Sequence, residues 1–250
     1  MKKSIFYLLL LVGFACGKPN QQQLTKITGK RLSIDEKLSS DAAIEEYIAP
    51  FREELENVMK KPLCTAPKDL VKNDGDLQSS LGNLFADLSY EMANPVFQKL
   101  KNTNIDFCLM NSGGLRANIS KGTVRTENAF FVMPFENELV VTKLSGAKVK
   151  ELFDYFVDRR RAHPISKQVQ LKIAGDDYTA KIGGKPFDIN ETYYVLTNDY
   201  LQTGGSGMTF FANPIELTNL NYLARDAMLD YFKKVDVLTA NIDNRIIVTP

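Results

Sequence analysis

Two apolar runs in this chain stop abruptly at glycine-rich loops, and that pairing constrains the fold more than any other feature. Phe107-Cys108-Leu109-Met110 gives way to Asn111-Ser112-Gly113-Gly114-Leu115-Arg116. Tyr193 to Thr197 runs into Asn198-Asp199-Tyr200-Leu201-Gln202-Thr203-Gly204-Gly205-Ser206-Gly207. A short, continuous apolar run bounded by turn residues reads as a buried strand. Adjacent glycines permit positive φ and let the backbone approach something closely, either a neighbouring strand or a ligand.

The elements around these runs set the fold class. Asp41 is placed to cap a helix whose apolar positions Ile44, Tyr47, Ile48, Phe51, Leu55 and Val58 share one face, and Pro62 ends it. A loop from Pro62 to Asp76 carries the turn signal Asn73-Asp74-Gly75. A second helix is expected from about Leu77, with the stripe Leu77, Leu81, Leu84, Phe85, Leu88 and Met92 and a stop at Asn94-Pro95. Gly82-Asn83 is costly inside a helix, so either the helix starts later or these small residues face something close. Ile105–Met110 and Glu138–Leu144 read as strands. Ser145 caps a helix with core face Val149, Leu152, Phe153, Phe156 and Val157, and Arg159–Arg161 sit at its end, where cations suit the helix dipole. Alternation at Val169, Leu171 and Ile173, and again at Tyr178, Ala180 and Ile182, predicts a hairpin about Gly175-Asp176-Asp177. A helix from about Asn221 to Phe232 and a strand at Ile246–Val248 close the chain. Strands and helices are interspersed without strict βαβ alternation. The expected fold is therefore α+β, a single domain with a mixed β-sheet flanked by helices.

The amino terminus reads as a targeting segment. Lys2 and Lys3 precede a short apolar stretch, Ile5–Phe14, too short to span a bilayer. Gly13-Phe14-Ala15-Cys16 resembles a bacterial lipoprotein cleavage box with Cys16 as the lipidated residue, and lipidation is favoured over plain secretion. The expected organisation is residues 1–16 signal peptide and lipobox, 17–40 tether and lead-in with a short strand allowed before Ser40, and 41–250 folded domain. The location that follows is exported and lipid-anchored in the bacterial cell envelope, periplasmic or surface-facing.

Charge and residue supply exclude several functions. Net charge is +1, which gives no electrostatic footprint for nucleic acid. Besides Cys16 there are Cys64 and Cys108, read as unpaired and buried. No CxxC or Cys/His cluster suggests zinc. The only histidine, His163, lies just past a helix in Arg161-Ala162-His163-Pro164 and reads as a surface residue. Gly204-Gly205-Ser206-Gly207-Met208 fails the nucleophile-elbow pattern at Met208, and no phosphate-binding P-loop or dinucleotide fingerprint occurs.

An ordered set of motifs is more specific. It comprises Leu81-Gly82-Asn83-Leu84-Phe85-Ala86-Asp87, Asn111-Ser112-Gly113-Gly114-Leu115-Arg116, Gly122-Thr123-Val124, Met133-Pro134-Phe135-Glu136-Asn137, Leu144-Ser145-Gly146, and Tyr193–Asn198 with the second glycine loop. In this order the set resembles the C-terminal domain of the 5'-nucleotidase family, over roughly residues 70–248. That domain holds the nucleoside part of the substrate, while a separate N-terminal domain does the chemistry with two metal ions.

The resemblance implies roles for individual residues. Phe135 and Tyr200 would stack on the base, the family usually having a second Phe where Tyr200 stands. Stacking contributes roughly 1–3 kcal/mol per base. Asn111 would read the base edge as both donor and acceptor. Arg116 would lie near phosphate and ribose. Gly113, Gly114, Gly204 and Gly205 would let backbone approach the ligand. Ser206 stands where the family usually has an Asp gripping the ribose hydroxyls. The family's upstream arginine is absent from Val71–Ser80, which offers only Lys72. The bland alternative is that Phe135 and Tyr200 are core aromatics and the glycines merely close turns.

The family's metal-binding patterns, of the kind D-x-H and G-H-x-H, do not occur here. The expectation is no catalytic residue, metal site or cofactor on this chain, and no hydrolysis by it alone. Divalent metals are expected only on a separately encoded metallophosphatase. The leading reading is the nucleoside- or nucleotide-binding half of a split nucleotide-hydrolysing system. The alternatives are a stand-alone envelope lipoprotein acting as a non-catalytic binding or protein-interaction module, and, weakest, an enzyme with a metal-free site.

Overall fold

The computed structural model describes residues 26–249. The lipobox at Cys16 and the polar tether that follows it lie outside the described residues. The described residues divide into two compact units between Ile48 and Ala49. In the first, residues 26–40 are exposed and hold a turn at Asp35 but no strand. Helix α1 (Ala42–Met59) begins there, capped by Asp41, whose Oδ1 accepts from the N–H groups of Ala43 and Ile44 at 2.9 and 3.2 Å. The helix forms as its spacing predicts, yet Ile44, Tyr47, Phe51, Leu55 and Val58 all remain more than half exposed, so this apolar face is not part of the core.

The second unit contains three sheets rather than one. Strand β1 (Pro62–Ala66) pairs antiparallel with β3 (Gly122–Arg125). It occupies the start of the expected loop, and Pro at a first strand position costs no ladder bond. Strands β5 (Val169–Ala174), β6 (Asp177–Ile182) and β7 (Lys185–Pro186) follow one another antiparallel, and β10 (Ile246–Thr249) joins β5 in parallel. The third sheet has the order β2 (Phe107–Cys108), β8 (Thr192–Asn198), β4 (Glu138–Ser145), β9 (Glu216–Leu223). Its β2–β8 pair is parallel and the other two are antiparallel. Strand β9 is an edge strand whose Leu217, Leu220, Tyr222 and Leu223 do not alternate, which hides it from a search for apolar alternation.

Helix α2 (Ser80–Lys101) starts three residues later than its stripe suggests. Its N-cap is Ser79, whose Oγ accepts from Gly82 N–H at 3.0 Å. A Cβ on Gly82 would lie 2.7 Å from that Oγ and 3.6 Å from Pro164, so the glycine answers a close approach. The helix does not stop at Asn94-Pro95 but continues for two turns. Asn94 instead ties the return segment to the helix, its Oδ1 accepting from Ile105 N–H at 2.8 Å. The missing N–H at Pro95 costs about 3 kcal/mol in a helix interior, and burial of Ala93 and Phe97 on either side offsets it.

The remaining helices are α3 (Thr126–Val132), α4 (Gly146–Arg159), the single turn α5 (Asp199–Gln202) and α6 (Ala224–Lys234), which is preceded by β9 and so starts later than expected. Ser145 caps α4, and its predicted core face is buried.

The β2-β8-β4-β9 sheet lies between two apolar clusters. Cys108, Met110 and Leu196 belong to the one built with α2 and α6. Phe107, Leu109, Tyr193 and Val195 belong to the one built with α4 and the β5–β6 hairpin. Successive residues of a strand point to opposite faces, so a strand buried on both sides must be apolar throughout. That is why Phe107–Met110 has no alternation. Cys64 and Cys108 are buried free thiols, and burial pushes the Cys64 thiol up to about 11.

Candidate functional site

Strand direction gathers the two glycine loops. β2 and β8 run parallel in the register Cys108↔Leu196, so the segments that follow them, from Asn111 and from Asn198, leave the sheet side by side. β4 runs antiparallel to β8 with Leu139 opposite Asn198, so the residues just before β4 arrive at the same edge. Those residues are Phe135-Glu136-Asn137.

The convergence forms a pocket of about 380 Å³ lined by Asn111, Gly113, Gly114, Arg116, Phe135, Asn137, Tyr200 and Ser206. Seven of the nine ligand-contact candidates therefore meet in one place. Asn137 also lines the pocket without being among the candidates; its place two residues after Phe135 and just before β4 is the available signal. Arg116 is the only charged side chain in the lining, which contains no carboxylate.

Each wall is held by identifiable bonds. Asn111 is 7 % exposed, and its Nδ2 donates to Ser206 Oγ at 3.1 Å, joining the two loops directly. Gly113 and Gly114 lie in a single 3-10 turn after Asn111. A Cβ on Gly114 would sit 3.2 Å from Asn111 Oδ1 and 3.3 Å from Met133 Cε, so the glycine leaves room for the amide. The Arg116 guanidinium lies 5.8 Å from the Phe135 ring centroid, and its Nη1 donates to Gly113 O at 3.4 Å. Lys72 donates from Nζ to Leu115 O at 3.4 Å but does not line the pocket.

Phe135 and Tyr200 are 40 % and 48 % exposed and belong to neither apolar cluster, so they are not core aromatics. Arg225 holds the segment carrying Phe135 from behind. Its Nη1 donates to the carbonyls of Pro134 and Phe135 at 3.2 and 3.5 Å, and its guanidinium lies 4.5 Å from the Phe130 centroid. The Ala224 N–H donates to Asn137 O at 2.9 Å.

The second loop is organised around Tyr200. Asn198 is buried and caps the turn α5 through Oδ1 to Leu201 N–H at 2.9 Å. Gly204 (φ +92°) and Gly205 do not line the pocket. A Cβ on Gly205 would fall 2.5 Å from Tyr200 O and 2.6 Å from its ring, so Gly205 accommodates the tyrosine rather than the pocket's contents. Ser206 has φ +58°, unusual for a residue with a side chain. Three bonds hold it there: its N–H donates to Tyr200 Oη at 3.2 Å, its carbonyl accepts from Tyr155 Oη at 3.0 Å, and its Oγ accepts from Asn111.

His163 is not a surface histidine. It is 3 % exposed, and its Nδ1 accepts from Ser112 N–H at 3.2 Å. After the left-handed residue Arg160 (φ +47°) the chain folds back beside the end of β2. Met110 N–H donates to Pro164 O, Ser166 N–H donates to Cys108 O, and Leu109 bridges Ile165. That register puts His163 opposite Asn111, within reach of the Ser112 N–H. Burial, aided by the Arg161 charge, lowers its pKa to about 4, so the ring is neutral near pH 7.

The residues present do not suit the family's metal pair. The lone histidine is buried and already bonded, and no group of three His, Cys, Asp or Glu side chains among the described residues could hold a metal ion. A larger open groove of about 810 Å³ lies between α4 and the β6–β7 edge, lined by Lys150, Asp154, Tyr178 and Phe187 among others, away from these loops.

The fold and pocket together define an α+β domain whose two glycine loops meet at one end of the strands of a mixed sheet. Residues 64–213 match the family described as "5'-nucleotidase, C-terminal domain", and the chain belongs to that family. It is 25 % identical to a 5'-nucleotidase of Vibrio vulnificus over 93 % of this chain and 42 % of the relative. It is 27 % identical to Protein UshA of Escherichia coli over 58 % of this chain and 27 % of that one. The chain thus spans less than half the length of these curated relatives. The crystal structure of a 5'-nucleotidase precursor from Thermus thermophilus matches with TM-score 0.64 at 23 % identity, over 82 % of this chain and 42 % of that one. A sulfate thiohydrolase SoxB structure from Thermus thermophilus matches with TM-score 0.57 at 15 % identity, over 83 % of this chain and 38 % of that one. The fold is therefore shared by proteins named for different chemistries and does not itself name a ligand.

Proposed function

We propose that this chain binds a nucleoside or nucleotide, the base lying between Phe135 and Tyr200, and that it serves as the substrate-binding half of a split nucleotide-hydrolysing system. One observation carries the reading. Two half-exposed aromatic rings, a nearly buried amide and a guanidinium share one pocket whose volume suits a small ligand. Aromatic faces accept any base, Asn111 Oδ1 accepts no hydrogen bond among the described residues, and Arg116 supplies the positive charge that a phosphate needs.

Hydrolysis is assigned to a separately encoded metallophosphatase that carries the divalent metals. The support is the residue supply: His163 is engaged, and no candidate nucleophile–base pair borders the pocket. The proposed location is the bacterial cell envelope, through a lipid on Cys16; no helix among the described residues is long and apolar enough to cross a membrane.

Calorimetric titration with adenosine and then AMP tests the binding role. Micromolar to low-millimolar affinity is expected, lost in Phe135→Ala and in Tyr200→Ala with far-UV circular dichroism unchanged. Binding that survives both substitutions refutes the stacking site.

A further inference from the structure

The two glycine loops are joined in front by the Asn111–Ser206 bond and are also held from α4. Tyr155 lies on α4 and donates its hydroxyl to Ser206 O at 3.0 Å. Its ring packs against His163 with centroids 5.5 Å apart, and His163 Nδ1 takes the Ser112 N–H at 3.2 Å. Neither side chain lines the pocket. Two adjoining rings thus hold the backbone of both loops, at Ser112 between two pocket-lining residues and at Ser206, itself one.

We propose that Tyr155 and His163 form a clasp that fixes the separation of the two loops, making both of them positioning residues for whatever ligand the pocket takes. The physical case rests on the geometry of the bonds. Ser206 is held in a left-handed conformation that is strained for a residue with a side chain, so bonds on both sides of it help it persist. Tyr155 supplies the carbonyl side and Tyr200 the amide side. In the first loop, Gly114 N–H bonds back to Asn111 O, and the preceding Ser112 N–H has His163 as its acceptor. The acceptor role requires Nδ1 to be unprotonated, which puts the neutral ring's proton on Nε2; that atom is buried with no hydrogen-bond partner among the described residues. Phe156 and Tyr155 pack against the imidazole, Phe210 and Arg159 pack against Tyr155, and together they leave the pair little freedom to shift.

The part concerning affinity rests on the nucleotide-binding reading, so the test separates the two. Amide hydrogen exchange on the unliganded chain reads the clasp, and AMP titration reads its consequence. Tyr155→Phe removes one oxygen and keeps the buried ring. His163→Asn retains an acceptor near the Nδ1 position, and His163→Leu removes it. Exchange at 111–116 and 204–207 is expected to rise about tenfold in Tyr155→Phe and His163→Leu, the effect of losing about one hydrogen bond, and to return towards wild type in His163→Asn. AMP affinity is expected to fall by a similar factor in the first two variants and to recover in the third. A merely structural histidine would show no such rescue. Unchanged exchange in both loops of Tyr155→Phe overturns the clasp, and this variant remains informative where His163→Leu fails to fold. Loosened loops with undiminished AMP affinity overturn the positioning role. A wild-type chain that ignores AMP, with exchange altered as expected, sinks the nucleotide reading and upholds the clasp.

Discussion

Acidification should expose His163 as a stability switch. In the unfolded chain an imidazole titrates near 6.5; in the folded chain burial, reinforced by the charge of Arg161, brings His163 down to about 4. Between those values the unfolded state binds more protons than the folded state, so stability falls as pH falls. The contribution is fully present above about pH 6.5, is lost progressively below it, and levels off below about pH 4. A depression from 6.5 to about 4 corresponds to a loss of roughly 2 kcal/mol on going from pH 7 to 5, and roughly 3 kcal/mol by pH 4. Small domains have about 5–15 kcal/mol in total, so this single ring accounts for a sizeable share. The assay is urea unfolding followed by far-UV circular dichroism, since the chain has no tryptophan, at pH 7, 6, 5 and 4 for wild type and His163→Asn. Carboxylates titrate in the same range but equally in both proteins, so the difference between the curves isolates the histidine. Wild type should lose about 2 kcal/mol more than the variant between pH 7 and 5. Curves that run parallel to within about 0.5 kcal/mol would refute the buried, neutral assignment.

Arg225→Met should leave the Pro134 and Phe135 carbonyls without their donor, costing about 1–3 kcal/mol in urea unfolding and weakening AMP binding through displacement of the Phe135 segment. Arg225→Lys should recover charge but not the two-carbonyl grip, so its binding should stay weak. Gly205→Ala forces a Cβ to within 2.6 Å of the Tyr200 ring; a stability loss of about 1–3 kcal/mol and loss of ligand binding are expected, and an unchanged titration would show that the Tyr200 position is immaterial.

What the sequence disclosed follows from how local each signal is. The α4 face and the β5–β6 hairpin rest on short-range periodicity and appear as expected, as does the apolar run of β8, whereas the expected strand Ile105–Met110 forms a regular ladder with β8 only at Phe107 and Cys108. Asn111, Gly113, Gly114, Arg116, Phe135, Tyr200 and Ser206 could be grouped because their motifs stand in a characteristic order, and they line one pocket. The misses depend on tertiary context. β9 lies at a sheet edge and its apolar residues do not alternate. Pro95 looks like a stop until buried neighbours hold the helix through it. The α1 stripe has the spacing of a core face, but periodicity cannot say whether a face is covered, and this one is more than half exposed. His163 reads as a surface residue because nothing nearby in sequence foretells the return of residues 163–166 along the end of β2, the pairing that buries it.

On the proposed reading, having Ser206 where the family resemblance implies a carboxylate limits how tightly the pocket holds a nucleotide. A carboxylate would accept two hydrogen bonds with the added strength of charge. Ser206 Oγ already accepts from Asn111 Nδ2, which leaves chiefly its O–H to offer. The interactions left for a nucleotide are then two stacking faces at about 1–3 kcal/mol each, the Asn111 Oδ1, and a partly solvated Arg116. Against them stands the cost of immobilising the ligand, at least about 4 kcal/mol. The surplus corresponds to weak binding, closer to the roughly 4 kcal/mol of a millimolar complex than to the roughly 12 kcal/mol of a nanomolar one. In the proposed split system such affinity would suit a substrate-holding half that must also release product. It also explains why so much of the surrounding structure, Arg225 behind Phe135 and Tyr155 with His163 behind the loops, is given to fixing the walls in advance: where direct contacts are few, preorganisation carries a larger part of the binding energy.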